Sequence, residues 1–437
     1  MKNLNRLGTV DVDAIILWLD RAAFVCLCAL VFILPVSTAG VEIFGSLAVL
    51  FFLMNRGLTA RQKGVGALIP TGVSLRIAIP LLVFLAMCGM SILWSVDPQL
   101  SFRAFAGKSV GAALLFWTAA GTFTSRARLL RLGGVLLASA FIVSLDGFWQ
   151  LWQGHDLFKG EALSGGRVCA AMRHPNGFGA YLLFAILPAF ALTCWSLTRE
   201  AHGLFNSWRG RLLLVGLTVV LCAAIGFTFS RGAWIGLFAG VVVLIVLRPG
   251  YFLPLALAAG LFLIIFSPLI ISLRHVGVLS DSPSVTNIFD TTNINGTGRI
   301  GFWKDALRVI AEHPAGTGLN TYTTVIRQYP VAWRAYPHNS YLQMAAEIGA
   351  VGLTVFLWFI WSFIWQTAGR IRRFRHDVTG ALITGLLAGW VGVMVQSGLD
   401  TTFYSVQLSR MLWLMMGLLL AAVLIESKDS PEPETKA

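Results

Sequence analysis

Charge is scarce in this 437-residue chain: Asp, Glu, Lys and Arg together make up 12% of it, against 57% hydrophobic residues. A water-soluble domain carries roughly twice that charged share. The chain therefore lacks the polar surface it would need to cover itself in water, and lipid must form part of its solvent. A mean hydropathy of +0.75 says the same. Cysteine is sparse too. The six (Cys26, Cys28, Cys88, Cys169, Cys194 and Cys222) mostly sit in apolar runs without metal-ligand spacing. They read as small core residues, and no disulfide framework is expected. The first apolar run follows a polar start and continues without a small-residue cleavage site, so no cleavable signal peptide is expected. Acidic residues are outnumbered 20 to 33 by basic ones, for a net charge of +13. In a soluble protein that excess would suggest nucleic acid. In a membrane protein Lys and Arg collect in the cytoplasmic loops, so no nucleic-acid partner is expected.

What the chain has in abundance is apolar runs. They recur near 14–35, 41–54, 77–94, 102–122, 132–153, 176–197, 212–229, 232–247, 251–272, 341–366, 378–397 and 406–425. Each is long enough, or nearly so, to cross a hydrocarbon core of about 30 Å. The expectation is an all-α polytopic membrane protein with about twelve transmembrane helices. Alternate connections carry Arg56, Arg61, Lys63 and Arg76, then Arg126, Arg128 and Arg131, then Arg199, Arg209 and Arg211, then Arg248, then Arg370, Arg372, Arg373 and Arg375. That basic set assigns itself and both termini to the cytoplasm. The opposite side then holds two longer connections, 154–175 and 272–340, the second far longer than a mere connector needs. The expected organisation is helices 1–9 over 1–272, a partly helical outer loop over 273–340, helices 10–12 over 341–425 and a cytoplasmic tail over 426–437. Within the loop, 302–312 reads as a short amphipathic helix.

Outward-facing cations are the informative ones, because topology does not require them. They are Lys159, Arg167, Arg173, Arg231, Arg274, Arg299, Lys304, Arg308, Arg327 and Arg334. Lys108 falls inside the fourth apolar run, where an ionisable side chain is a functional candidate. Snorkelling toward the helix end is the structural alternative. Arg167 and Arg173 precede Pro175-Asn176, a helix start where an anion is favoured. A plain turn with arginines at the headgroups explains it equally well. Ser230-Arg231-Gly232 is a tight outer turn whose lone Arg needs an anion, a carbonyl cage or a lipid phosphate. Arg299 and Trp303 lie four apart on one helical face. Gly316-Thr317-Gly318 is a weak phosphate-loop signal and reads better as a flexible turn. The sharpest stretch is His338-Asn339-Ser340-Tyr341-Leu342, followed by Glu347-Ile348-Gly349. His338 sits where the outer loop re-enters the membrane and can accept or orient a proton near neutral pH. Glu347 falls on nearly the opposite helical face and deeper, so it pairs with another helix rather than with His338.

Four of these motifs, the Arg…His-Pro-Asn helix start, the Ser-Arg-Gly turn, Gly-Arg…Trp and His-Asn-Ser-Tyr-Leu…Glu-Ile-Gly, in this order and on this side, resemble the O-antigen ligase and polymerase superfamily. The resemblance implies a metal-independent, inverting, membrane-embedded glycosyltransferase without a cofactor. Its donor would be a glycan on undecaprenyl diphosphate at the periplasmic face of the bacterial inner membrane. The acceptor would be lipid A–core in a ligase, or another lipid-linked repeat in an O-antigen or exopolysaccharide polymerase. On that footing His338, Arg231 and Arg299 are the catalytic candidates. Lys108, Arg167, Arg173, Asn176, Trp303, Asn339 and Glu347 are the substrate-binding ones. Arg167 and Arg173 compete for one role, and spacing favours Arg167. His313-Pro314 is a second His-Pro that competes for attention with His338. No metal is expected: the only Asp-x-Asp, Asp11-Val12-Asp13, lies on the cytoplasmic side, so arginines must meet the leaving-group charge. A secondary transporter for a small anion is the alternative from another class. It would show internal repeats and a midplane site.

Overall fold

A computed structural model describes residues 11–68, 74–258, 260–262, 264, 299–329 and 336–429. Its helices are α1 (Val12–Ile33), α2 (Thr38–Lys63), α3 (Leu75–Met90), α4 (Pro98–Ala104), a π-helical segment (Phe105–Val110), α5 (Gly111–Thr122), α6 (Arg126–Gln153), α7 (Pro175–Ser196), α8 (Trp208–Phe227) and α9 (Arg231–Leu247). A short apolar helix, α10 (Pro249–Phe262), follows. Then come α11 (Arg299–Glu312), α12 (Tyr322–Ile326), α13 (Ser340–Ile371), α14 (Val378–Gln396) and α15 (Val406–Asp429). Among the described residues there is no strand. The chain is an all-α, multi-pass membrane protein: eight of these helices are long and apolar enough to span a bilayer.

Three of the apolar runs form shorter helices than a full span, α3, α9 and α10. A fourth, 102–122, is not one helix: the π segment interrupts it between α4 and α5. The expected ninth helix extends into residues outside the described ones. So does much of the expected outer loop, including Arg274. Of that loop the structure shows α11, α12 and the segments beside them. The second helix runs longer than its apolar run because Arg61 and Lys63 continue it to its C-terminal turn, where cations suit the helix dipole.

Burial sorts the helices. α7 and α14 are apolar on every face, and 89% and 83% of their spans are buried, so they form the centre of the bundle. Lipid-facing α1 and α2 are only 33% and 22% buried. Small residues let the central backbones approach. A Cβ on Gly385 would stand 2.4 Å from the Cα of Pro188, and one on Gly236 would stand 2.6 Å from the carbonyl oxygen of Gly392. At one end of the bundle the basic connections are braced: Arg126 reaches Asp377 at 2.8 Å and Glu426 at 2.5 Å. Arg248 reaches the His376 ring at 2.9 Å and the Phe374 carbonyl at 3.1 Å. The other end carries Arg167, Arg231, Arg299 and His338.

Candidate active site

The outer segment 154–174 is fastened by Gln150, fully buried at the C-terminal turn of α6. Its carboxamide oxygen accepts from the backbone N–H groups of Cys169 (3.0 Å) and Ala170 (2.9 Å), and its nitrogen donates to the carbonyls of Glu161 (2.9 Å) and Ala162 (3.3 Å). Held this way, the segment delivers Arg167 inward, only 8% exposed. The Arg167 Nε donates to the Thr228 carbonyl at 2.8 Å and Nη2 donates to the Asn176 side-chain oxygen at 2.9 Å. Arg173 points the other way. Its backbone is left-handed (φ 66°), and its exposed guanidinium pairs with Glu161 at 3.0 Å. Of the two competing arginines, the geometry brings Arg167 to the site.

Arg231 arrives from the opposite side as the first residue of α9. Ser230 caps that helix, its oxygen accepting from the Ala233 N–H at 3.3 Å. Phe229 just before it takes the left-handed region (φ 45°), which makes the α8–α9 turn tight. Arg299 opens α11. The three guanidinium groups share one neighbourhood, with a consequence for Arg167. Burial pushes its pKa down, and the positive charges of Arg299 and Arg231 push it further, to about 10. Burial also lowers Arg299, opposed by the negative charge of Asp400. Arg299 Nη1 and Trp303 Nε1, one helical turn apart on α11, are buried donors without a hydrogen-bond partner among the described residues. Three crowded cations and two unanswered donors make a cluster that favours an anion with several acceptor oxygens.

His338 stands beside this cluster. It is held in the left-handed region (φ 47°), an uncommon conformation for a non-glycine residue. Its Nδ1 lies 3.1 Å from Oδ1 of Asp400, and its ring centroid lies 5.9 Å from that of Phe302 on α11. Asp400 sits in the short connection between α14 and α15. Burial alone would raise its pKa. Hydrogen bonding and charge from His338, the Thr401 N–H and the charge of Arg299 overcome that and hold it below the usual carboxylate range. A carboxylate at Nδ1 selects the tautomer protonated there and leaves Nε2 as the acceptor. The pair is locked in place: the Ser340 hydroxyl donates to the Asp400 carbonyl at 2.9 Å, and the Ser340 N–H donates to the carbonyls of Ser397 (2.8 Å) and Asp400 (3.1 Å). Asn339 does a structural task instead of facing the site. Its side-chain oxygen caps α13, accepting from Tyr341 and Leu342 at 3.0 Å each. His313 only ends α11, its N–H donating to the Val309 carbonyl at 2.9 Å.

Lys108 and Glu347 are brought together through Asn320, with partners other than those of the three arginines. Lys108 projects from the π segment, a distortion common at functional sites. Its Nζ donates to the Asn320 side-chain oxygen at 2.6 Å and lies 5.6 Å from the centre of the Tyr404 ring. Glu347 is buried and fully answered. It accepts from the Asn320 N–H (2.7 Å), the Tyr404 hydroxyl (3.1 Å), the Gln343 amide (3.0 Å) and the Tyr322 N–H (3.4 Å). As its spacing implied, it pairs with other elements and not with His338. Beneath the group lies a cavity of about 90 Å³, walled by Phe84, Phe356, Trp390, Phe403, Trp413 and Met416.

Gly316-Thr317-Gly318 is a clasp and not a phosphate loop. α13 is interrupted at Gly349 (φ 77°), which frees carbonyls of its first turns. The Thr317 N–H fills that of Ala346 at 2.9 Å, and the Gly318 N–H fills that of Glu347 at 2.8 Å. The approach is so close that a Cβ on Gly316 would stand 2.5 Å from the Glu347 carbonyl oxygen.

Against known proteins, residues 216–357 match the family model described as O-antigen ligase, which supports the resemblance to the O-antigen ligase and polymerase superfamily. The matched segment includes Arg231, Arg299, Trp303, His338 and Glu347. Lys108, Arg167, Asn176 and Asp400 lie outside it. No curated protein matches the chain.

Proposed function

We propose that the protein is an O-antigen ligase-like glycosyltransferase. It moves a glycan from undecaprenyl diphosphate to a hydroxyl of lipid A–core, with inversion and without a metal. It crosses the bacterial inner membrane about twelve times, with both termini in the cytoplasm and the active site facing the periplasm. The observation that carries this reading is the joining of three cations, Arg167, Arg231 and Arg299, to the His338–Asp400 pair at one rim of the bundle. The match over residues 216–357 to the family model described as O-antigen ligase supports the same reading.

The chemistry divides between the two halves of that site. Arg167, Arg231 and Arg299 grip the diphosphate and stabilise the charge that builds on it as the glycosidic C–O bond breaks. The Nε2 of His338 takes the proton of the acceptor hydroxyl as its oxygen bonds the anomeric carbon from the opposite face. Asp400 holds the ring and balances the imidazolium that forms. Undecaprenyl diphosphate leaves with the electron pair of the broken bond. Trp303 lines the donor side. An O-antigen or exopolysaccharide polymerase would use the same donor half with a lipid-linked repeat as acceptor.

Purified protein in vesicles, given an undecaprenyl-diphosphate glycan and lipid A–core, should produce glycosylated lipid A–core. His338→Ala and Arg231→Ala should abolish it while the protein still inserts. Full activity in both variants would sink the site assignment. Elongation of the lipid-linked glycan without capping of lipid A–core would identify a polymerase. The π segment and the Gly349 break do resemble the interrupted helices of transporters. Uptake of a labelled anion without glycan transfer would favour that class.

A further inference from the structure

Asn176 is the second residue of α7, and its two polar groups reach three other parts of the site. Its side-chain oxygen accepts from Arg167 Nη2 at 2.9 Å and from the Ser230 hydroxyl at 2.9 Å. Its backbone carbonyl accepts from the Gln396 amide at 2.9 Å. Ser230 immediately precedes Arg231, and Gln396 ends α14 four residues before Asp400. One residue thus ties the segment bearing Arg167 to the turn bearing Arg231 and to the connection bearing Asp400.

The contact depends on close approach of α7 and α9. Gly179, one turn beyond Asn176, makes this possible: a Cβ there would stand 2.6 Å from that of Ala233 and 3.6 Å from that of Ser230. The Asn176 oxygen is also well matched to its partners. A carboxylate in its place would neutralise one of the cations that the donor needs. A neutral amide oxygen orients the guanidinium and leaves the charge available.

We infer that Asn176 is a positioning residue that fixes the spacing of Arg167 and Arg231 and aims both at one diphosphate, rather than a ligand of the substrate. The inference rests on the proposed donor site, but it concerns geometry that can be read without turnover.

The test is a double-mutant cycle on the affinity of the full-length protein for inorganic diphosphate, read by calorimetry in detergent. Asn176→Ala should weaken binding on the order of ten-fold, the scale of a hydrogen bond to a charged group. In an Arg167→Ala background the same substitution should cost clearly less, because the part of its effect that runs through that guanidinium is already gone. A residue that only stabilises the fold would weaken both backgrounds equally, and that result overturns the inference. So does unchanged affinity in Asn176→Ala, or wild-type protein that binds no diphosphate. If Asn176→Ala does not fold, Asn176→Ser, too short to reach both partners, takes its place in the same cycle. Wild-type protein that binds diphosphate and shows the coupling, yet transfers no glycan, would overturn the proposed reaction and leave this role of Asn176 standing.

Discussion

His338 and Asp400 are 62 residues apart in the chain, yet Nδ1 of one lies 3.1 Å from Oδ1 of the other, at the rim where α13 enters the bundle and α14 leaves it. The contact is not incidental packing. The Ser340 hydroxyl and N–H bind the Asp400 carbonyl, so the backbone on both sides of the pair is fastened before the side chains meet. Asp400 also faces Arg299, which places it between the base and the cations.

Asp400→Asn should therefore cost activity without costing the fold. The amide can offer an N–H to Nδ1 and favour the tautomer with its proton on Nε2, which removes the base. We expect the glycan-transfer rate to drop by about a hundred-fold or more, with donor KM little changed, because wrong-tautomer substitutions in catalytic histidine–carboxylate pairs have effects of that order or larger. Steady-state kinetics on vesicles would check this. A rate within a factor of a few of wild type would remove Asp400 from the mechanism.

The same carboxylate should shape stability in acid. Its folded pKa lies below the unfolded value of about 3.9, so its stabilising contribution is complete above that pH. The contribution fades as pH falls through the folded value, when the protonated carboxyl loses its attraction for His338 and Arg299. Thermal melts from pH 6 down to pH 3 should thus show a shallower acid-side fall in Asp400→Asn than in wild type. Parallel curves would contradict the assignment.

Much of this was legible in the sequence, and the failures have physical reasons. Hydropathy located the helices, since a bilayer demands long apolar runs. It could not see the break at Phe105–Val110, because a π turn adds one residue without ending the helix and leaves no periodicity signature; Lys108 was the only mark there. The spacing of Glu347 from His338 correctly separated the two, but its partners Asn320 and Tyr404 come from other elements that no local pattern connects. Asp400 was overlooked although a signal was present: it is the sole acidic residue between Asp377 and Glu426, stranded between two apolar runs. Asn176 and Asn339 were recognised as notable, but their helix-start positions made ligand and fastener look alike. Only the partners of their oxygens separate the two.

The clasp at Gly316 should be intolerant of even one carbon. Its φ of 90° suits glycine, and an added Cβ would sit 2.5 Å from both the Glu347 carbonyl oxygen and the Gly349 nitrogen, neither of which can move without reshaping α13. Gly316→Ala should destabilise the protein by about 2 kcal/mol or more from backbone strain and overpacking together. A melting temperature equal to wild type would show that the loop does not dock as described.

Crowding of the arginines makes a last prediction about ligand and stability together. Burial and the charges of Arg299 and Arg231 hold the Arg167 pKa near 10, so the fold keeps these cations together against their mutual repulsion. Diphosphate relieves that repulsion and binds only the folded state. At a hundred times its Kd it should raise stability by about 2.7 kcal/mol through mass action. Arg299→Gln removes one of the three charges that face the anion, so the variant should gain far less from the same diphosphate. Raising the salt concentration should shrink the wild-type shift, as screening weakens the attraction at this partly accessible rim. An equal diphosphate shift in wild type and Arg299→Gln would show that the three guanidinium groups do not act on one anion.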